Sequence, residues 1–305
     1  MTPRVSVIVP TRDRLPQLQR ALAGVAAQSL RDFEVIVVDD ASADGTREWL
    51  ASGSMASHVV TTTASAGAGA ARNRGIERAR GDLIAFLDDD DVWQPAYLEQ
   101  QVRYLDANRD AALSYADHLE VDASGRTSRP DTNALLPYSS PLVRMLAEAF
   151  VHTMSVVVCR RELFGSLGPF DERLRVVQDL EWYARLLSSG RRLVRLPQTL
   201  VARAMPGGLV TQHRQWFDEE HQVREAAFAA GVPDPGDRQL VRAYRALFFS
   251  HLGFTRGDFP FALSCLASAL TTSPRWTLHV AARRILRRLR HHERAARWDT
   301  VPAIS

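Results

Sequence analysis

The 305-residue sequence contains no lysine, so all 38 of its fixed positive side chains are arginine. That absence rules out a GxxxxGK[ST] phosphate loop and a phosphoacceptor domain of the receiver type, both of which need a lysine. Cysteine is scarce as well: Cys159 and Cys265 stand far apart with no metal-ligand spacing, so a reduced setting is expected. No apolar run reaches the roughly 18 residues of a membrane span. The opening MTPRVSVIVPTRDR meets charge too soon for a signal peptide, and the expectation is a cytoplasmic protein. No GxSxG elbow is present, which disfavours a Ser-His-Asp hydrolase. The formal charge of +3 lends little support to nucleic-acid binding. Neither an internal repeat nor a low-complexity tract occurs.

What is present is 46% hydrophobic and 24% charged, the balance of a soluble globular chain. The first hundred residues alternate β-branched runs with helical spacing. Val5 to Val9 predicts a buried strand, and Leu15, Leu18, Leu22 and Val25 a helix to about Gln28. Glu34 to Val38, His58 to Thr62 and Leu83 to Leu87 predict further strands, with helices after Asp44-Gly45-Thr46 and over Ala68 to Arg80. This rhythm argues for parallel strands joined by right-handed crossovers. The middle predicts a helix over Pro95 to Asn108, strands at Ala111 to Ala116 and Thr153 to Cys159, and a helix over Asp179 to Ser188. Beyond Pro206-Gly207-Gly208 the pattern is mostly helical, broken near Gly231 to Gly236 and at Ser273-Pro274.

Two of the strands run straight into carboxylates, Asp39-Asp40 and Asp88 to Asp91. Strand C-termini of an open parallel sheet share one edge, and ligands bind there. Four consecutive carboxylates repel one another unless a cation is near. Oxygen donors without histidine or cysteine favour Mg²⁺ or Mn²⁺, commonly shared with substrate phosphates. A solvated acidic turn is the plain alternative for Asp88 to Asp91 alone; a second acidic strand end weighs against it. Gly67-Ala68-Gly69-Ala70-Ala71-Arg72 is not a dinucleotide loop, because Arg72 replaces the third glycine.

The segments VSVIVPTRDR, QSLRDFEVIVVDDASADGT, GAGAARNRGIERARGDLIAFLDDDDVWQP and GPFDERLRVVQDLEWYARLLSSG, in that order, resemble the family-2 inverting glycosyltransferases of GT-A fold over about residues 5–203. The resemblance implies an α/β fold with a mixed, mostly parallel sheet flanked by helices and a helical C-terminal extension. It divides the chain into a nucleotide-sugar-binding half (1–95), an acceptor-binding half (96–205) and a mainly helical region (206–305). It implies transfer of a sugar from a nucleotide-sugar, with a UDP-sugar as first candidate, to a hydroxyl acceptor on a glycan, a lipid-linked glycan or a small molecule. Asp40 then contacts the nucleotide base beside Asp39, and Pro10, Thr11 and Arg12 line the same pocket. Asp88, Asp89 and Asp90 form the DXD-type motif, in which Asp90 is the direct ligand of Mn²⁺ or Mg²⁺ and Asp88 or Asp89 reaches ribose or a metal-bound water. Arg72 and Asn73 lie near the nucleotide diphosphate. Asp179 is the general base that inversion requires, although at the start of a helix it could also be a cap.

The sequence departs from the family where many members carry a histidine after the final strand. Here Met205 stands near that place and His213 further on, which leaves His213 without an expected catalytic part. QxxRW is missing, which disfavours a processive polysaccharide synthase. Seven arginines lie within 280–298 among Val280, Ile285, Leu286, Leu289 and Trp298. This basic helix either packs its apolar stripe on the protein or lies on the anionic inner face of a membrane. The helices before it would cover the acceptor side or mediate homodimerisation. Two other functions compete: a nucleotidyltransferase, weakened because Val5 to Arg14 has no glycine, and a non-catalytic sugar-nucleotide or glycan-binding module, weakened by Asp90 and Asp179.

Overall fold

The computed structural model describes residues 2–53, 56–130, 134–205, 213–231 and 234–291, with side chains to residue 284. In chain order the elements are β1 (Val5–Thr11), α1 (Leu15–Ala26), β2 (Phe33–Asp39), α2 (Thr46–Ala51), β3 (His58–Thr61), α3 (Ala68–Arg78) and β4 (Leu83–Phe86). Next come β5 (Val92–Trp93), α4 (Tyr97–Ala107), β6 (Ala111–Val121), β7 (Thr127–Ser128), α5 (Pro141–Glu148), β8 (Val157–Arg160), α6 (Glu162–Leu167), α7 (Gln178–Ser188) and β9 (Arg192–Ala204). The chain continues through α8 (His213–Ala229), α9 (Pro235–Arg256), α10 (Phe259–Thr272) and α11 (Pro274–His291). Two compact units result. Met1–Pro130 with Val151–Met205 forms one, and Asp131–Phe150 with Pro206–Ser305 the other.

The first unit is built on a nine-stranded sheet of order β3-β2-β1-β4-β8-β6-β9-β5, with β7 beside β6. From β3 to β4 the strands are parallel, whereas β8 joins β4 and β6 antiparallel. β1 and β4 are buried along their whole length, which is why their sequences are apolar without alternation. α3 lies so close to β1 that a Cβ on Gly75 would sit 2.5 Å from Ile8 Cγ2. That contact accounts for a glycine inside a helix, where it costs about 1 kcal/mol relative to alanine.

Two segments differ from the sequence reading. Thr153 to Cys159 opens with a 3₁₀ turn at Met154–Val156, because the Thr153 hydroxyl accepts from the Ser155 amide at 3.2 Å. Strand β9 has no legible alternation, and its pairing with β6 shifts register between Leu196 and Thr199, around Pro197. Proline has no N–H to offer a ladder and favours such irregularities.

The second unit is helical. α9 begins at an Asp234 cap that accepts from the Gly236 and Asp237 amides and ends at left-handed Gly257. Leu240, Val241, Ala243 and Phe249 form its buried face. Phe249 meets Phe217 edge-on with centroids 5.1 Å apart. α5 belongs to this unit, although it lies between two segments of the first. Val280 of α11 is fully buried and the Arg284 guanidinium lies 4.4 Å from the Tyr244 ring, so the start of the basic helix packs on its own unit. The side chains of the remaining tail lie outside the described residues, and with them most of the expected membrane-contacting face. No described helix is long and apolar enough to cross a membrane.

Candidate active site

The parallel strands bring the two acidic clusters to one edge. Thr11 and Asp39 are register partners, the Asp40 amide donates to Thr11 O at 2.9 Å, and Leu87 N donates to Ile8 O at 3.0 Å. Loops after β1 and β2 are stitched together. Asp13, held at φ 52°, accepts from Ala43 N at 2.7 Å and donates its amide to Ser42 Oγ at 3.0 Å. Left-handed backbone is tolerated best, after glycine, by Asn and Asp. Asp44 accepts the Leu15 amide at 2.9 Å, supplying the N-terminus of α1 with a cap from another loop.

Asp39 and Asp40 are both buried, yet differently partnered. Asp40 accepts from Ser65 Oγ at 2.6 Å, Gly67 N at 2.9 Å, Ala66 N at 3.0 Å and Thr62 Oγ1 at 3.3 Å. Burial pulls its pKa upward, but these donors outweigh it and hold the carboxyl below the ordinary aspartate value. Asp39 accepts from Ser42 N with Oδ1, while its buried Oδ2 has no hydrogen-bond partner among the described residues; Arg47 Nε is 3.8 Å away. The expected base contact, Asp40, therefore ties down the 62–67 loop, and the unspent acceptor is on Asp39. Pro10 is buried within β1. Arg12 is exposed beside Asp13 at 3.4 Å.

Thr11, Arg14, Arg72, Thr153 and Ala204 hold the second cluster. Asp88 accepts from Arg72 Nη2 at 2.5 Å and from Thr153 Oγ1 at 3.1 Å. Asp89 takes the Thr11 hydroxyl at 2.7 Å and Arg14 Nη1 at 3.1 Å, and burial still pushes its carboxyl up to about 6. Asp90 receives Arg14 Nη1 at 2.9 Å; burial and then Asp88 raise its pKa against that pull. Asp91 accepts from Ala204 N at 3.0 Å and Thr153 Oγ1 at 3.2 Å, anchoring the end of β9 to the acidic loop, and burial raises its pKa further.

Arg72 joins the cluster to Asp179. It is 5% exposed, and its Nε and Nη1 have no acceptor among the described residues. Its charge offsets the burial that raises the Asp179 pKa. Asp179 lies in the first turn of α7 and accepts the adjacent Leu180 amide at 2.8 Å; the cap position is Val177. Asp179 is therefore not the N-cap residue of α7, although it does accept a first-turn amide. Asn73, expected near the nucleotide, spends its amide on the loop before α7. Nδ2 donates to Phe170 O and Glu172 Oε1, and Oδ1 accepts Phe170 N, each at 2.9 Å. His213 pairs with Asp258 at 2.9 Å within the helical unit.

Arg14 and Thr153 are the site residues that sequence reasoning misses; Asp91 it places in the acidic run without a role of its own. Arg14 lies within the PTRDR segment, but nothing local shows its guanidinium reaching Asp89 and Asp90. Among the described residues no group of three or more His, Cys, Asp or Glu is arranged to enclose a metal. Mg²⁺ bound with substrate phosphates needs only one or two protein carboxylates. Asp88 is near enough to raise the pKa of Asp90, a repulsion that a cation would relieve.

Residues 6–168 match the sequence profile of Glycosyl transferase family 2, and the chain belongs to that family of glycosyltransferases. Its mixed sheet flanked by helices is the GT-A fold. TuaG of Bacillus subtilis, a glycosyltransferase named for teichuronic acid biosynthesis, is 31% identical over 191 residues, 62% of this chain and 73% of TuaG. The succinoglycan biosynthesis protein ExoW of Rhizobium meliloti is 29% identical over 211 residues, 63% of this chain and 66% of ExoW. Among solved structures, the mannosyltransferase PcManGT of Pyrobaculum calidifontis, in complex with GDP-Man and Mn²⁺, superposes with TM-score 0.63 at 24% identity, over 95% of this chain and 81% of that one. Residues 1–349 of S. aureus TarS, in complex with UDP-GlcNAc, give TM-score 0.65 at 19% identity over 98% and 94%. The chain spans 53% of the longer TarS structure.

Proposed function

We propose that the chain transfers a sugar from a nucleotide-diphosphate sugar to a hydroxyl acceptor with inversion, using Asp179 as general base. The observation that carries this reading is Arg72. A buried guanidinium with two unspent nitrogens, set between Asp88 and the half-buried Asp179, is suited to a ligand that brings its own negative charge. A diphosphate is such a ligand.

In this reading the nucleobase meets Asp39 Oδ2, while Asp40 fixes the loop below it, beside Pro10, Thr11 and Arg12. Asp90 and Asp88 would hold Mn²⁺ or Mg²⁺, which supplies charge neutralisation for the departing diphosphate. Arg14, which now bridges Asp89 and Asp90, moves off Asp90 as that charge is compensated. Arg72 binds diphosphate oxygen from the other side. Asp179, its pKa raised by burial, takes the proton of the acceptor hydroxyl as that oxygen attacks the anomeric carbon. The relative named for teichuronic acid and the neighbours bound to GDP-Man and UDP-GlcNAc support a sugar-nucleotide donor and a glycan product.

A thermal-shift panel of UDP, GDP, ADP and CDP with and without Mn²⁺ tests the donor half of the proposal. One diphosphate should raise Tm strongly only with Mn²⁺ present. Equal, metal-independent shifts for all four would remove it.

A further inference from the structure

The helical unit contains a cationic cavity that sugar transfer as proposed above does not use. Glu220, 2% exposed, is shared by two buried arginines: Arg224 Nη1 at 2.6 Å and Arg245 Nη2 at 2.5 Å. Its other oxygen accepts Trp216 Nε1 at 2.8 Å. One carboxylate thus faces two guanidinium groups, and Arg245 also lies over the rings of Phe248 at 4.2 Å and Phe249 at 5.0 Å; the pair still carries more positive charge than Glu220 neutralises. Arg224 Nε is satisfied by Leu146 O, but Arg224 Nη2 and Arg245 Nε have no hydrogen-bond partner among the described residues. An uncompensated charge buried this way is costly unless an anion shares the site.

Both arginines line a cavity of about 390 Å³, within the size range of small-molecule sites. Glu220 does not line it, whereas Glu225 does. Phe217 and Phe249 supply apolar wall, and the exposed residues Ser268 and Thr272 of α10 also line it, the Thr272 hydroxyl donating to Ser268 O at 2.6 Å and so free only to accept. Arg242, also on the wall, is already neutralised by Glu225 at 2.7 Å.

We propose that this cavity binds an anionic sugar: a carboxylate or phosphate group seated against Arg224 and Arg245, on a ring whose C–H face lies against phenylalanine and whose hydroxyls meet Ser268 and Thr272. Among the described residues the lining belongs to the helical unit, and the site does not rest on the donor reading of the acidic rim.

Calorimetry on the full chain tests it with four probes: glucuronic acid, glucose 1-phosphate, neutral glucose and inorganic phosphate. At least one of the two acids should bind, and which one does identifies the anion; glucose should not, and inorganic phosphate should bind more weakly than the ring-bearing acid. Ser268→Trp, an exposed substitution that fills the cavity, should abolish binding while the nucleotide-diphosphate response with Mn²⁺ is unchanged. Arg245→Gln, checked for fold by circular dichroism, should weaken it about tenfold or more. No binding by either acid overturns the proposal. So does binding that Ser268→Trp leaves intact, or inorganic phosphate binding as tightly as the ring-bearing acid.

Discussion

Arg14 Nη1 lies 2.9 Å from Asp90 Oδ2 and 3.1 Å from Asp89 Oδ1, so one guanidinium nitrogen bridges Asp89 to Asp90, the carboxylate proposed above as direct metal ligand. Arginine and a divalent ion then compete for Asp90. Arg14→Gln should lower Tm in EDTA, by a stability loss of about 1 kcal/mol or less because the guanidinium is partly exposed. It should also enlarge the Tm gain on adding Mn²⁺, since the freed carboxylates repel more strongly. An unchanged or smaller gain would show that Arg14 does not contest the metal position.

Asn73→Ala separates the observed role of Asn73 from the one its motif implies. Three hydrogen bonds join it to Phe170 and Glu172, in the loop that leads to α7 and Asp179. Their loss leaves buried backbone groups unpaired and should cost about 1–3 kcal/mol in urea unfolding. Nucleotide-diphosphate affinity should stay near that of the parent. A large affinity loss without a stability loss would restore the nucleotide contact.

Asp39 and Asp40 should part company in the same way. Asp39→Asn changes the carboxylate whose Oδ2 is unspent, and should weaken diphosphate binding with little effect on folding. Asp40→Asn replaces an acceptor of four hydrogen bonds, two of them from backbone amides, and should lower Tm first. Equal thermal penalties with equal binding losses would contradict the division.

What the sequence makes legible follows physical range. β1, β2 and β4 are readable because strands buried on both faces must be apolar throughout, and the carboxylates that follow them are conspicuous for the same reason. β9 is not readable, because Arg192, Arg195 and Pro197 interrupt its pattern and its pairing is set by β6. The hydrogen bonds of Asn73 have no local signal, because its partners lie 97 and 99 residues away. Arg14 is hidden likewise, being 75 and 76 residues from the aspartates it bridges. The placement of α5 in the helical unit has no local signal at all.

His118 gives the first unit a pH dependence of known sign. It is 4% exposed on β6, edge-on to His152 with centroids 5.4 Å apart, and burial, then His152 and Arg203, push its pKa down to about 3. The unfolded chain, with a histidine near 6.5, therefore binds more protons across that interval, and stability contributed by neutral His118 is lost as pH falls from 6.5 toward 3. His118→Gln should flatten the fall in Tm over this range relative to the parent. Parallel Tm curves for the two proteins would show that His118 is not held neutral.

Asp179→Asn tests the chemical step. Asparagine fits the same space and can still accept the Leu180 amide, so the first turn of α7 should persist and Tm should stay near the parent value. Binding of the nucleotide-sugar should survive, because Asp179 touches neither Asp39 nor Asp90 in the hydrogen-bond pattern of the site. An amide cannot take the acceptor proton, and general-base catalysis typically contributes 10²–10⁴-fold, so kcat should fall by about that factor with donor affinity unchanged. The remaining rate should also lose the rise with pH that titration of Asp179 imposes on the parent, whose carboxyl must be ionised to act and is pushed by burial above the ordinary aspartate value. Retention of both the rate and its pH profile would remove Asp179 as the base, whatever the donor proves to be.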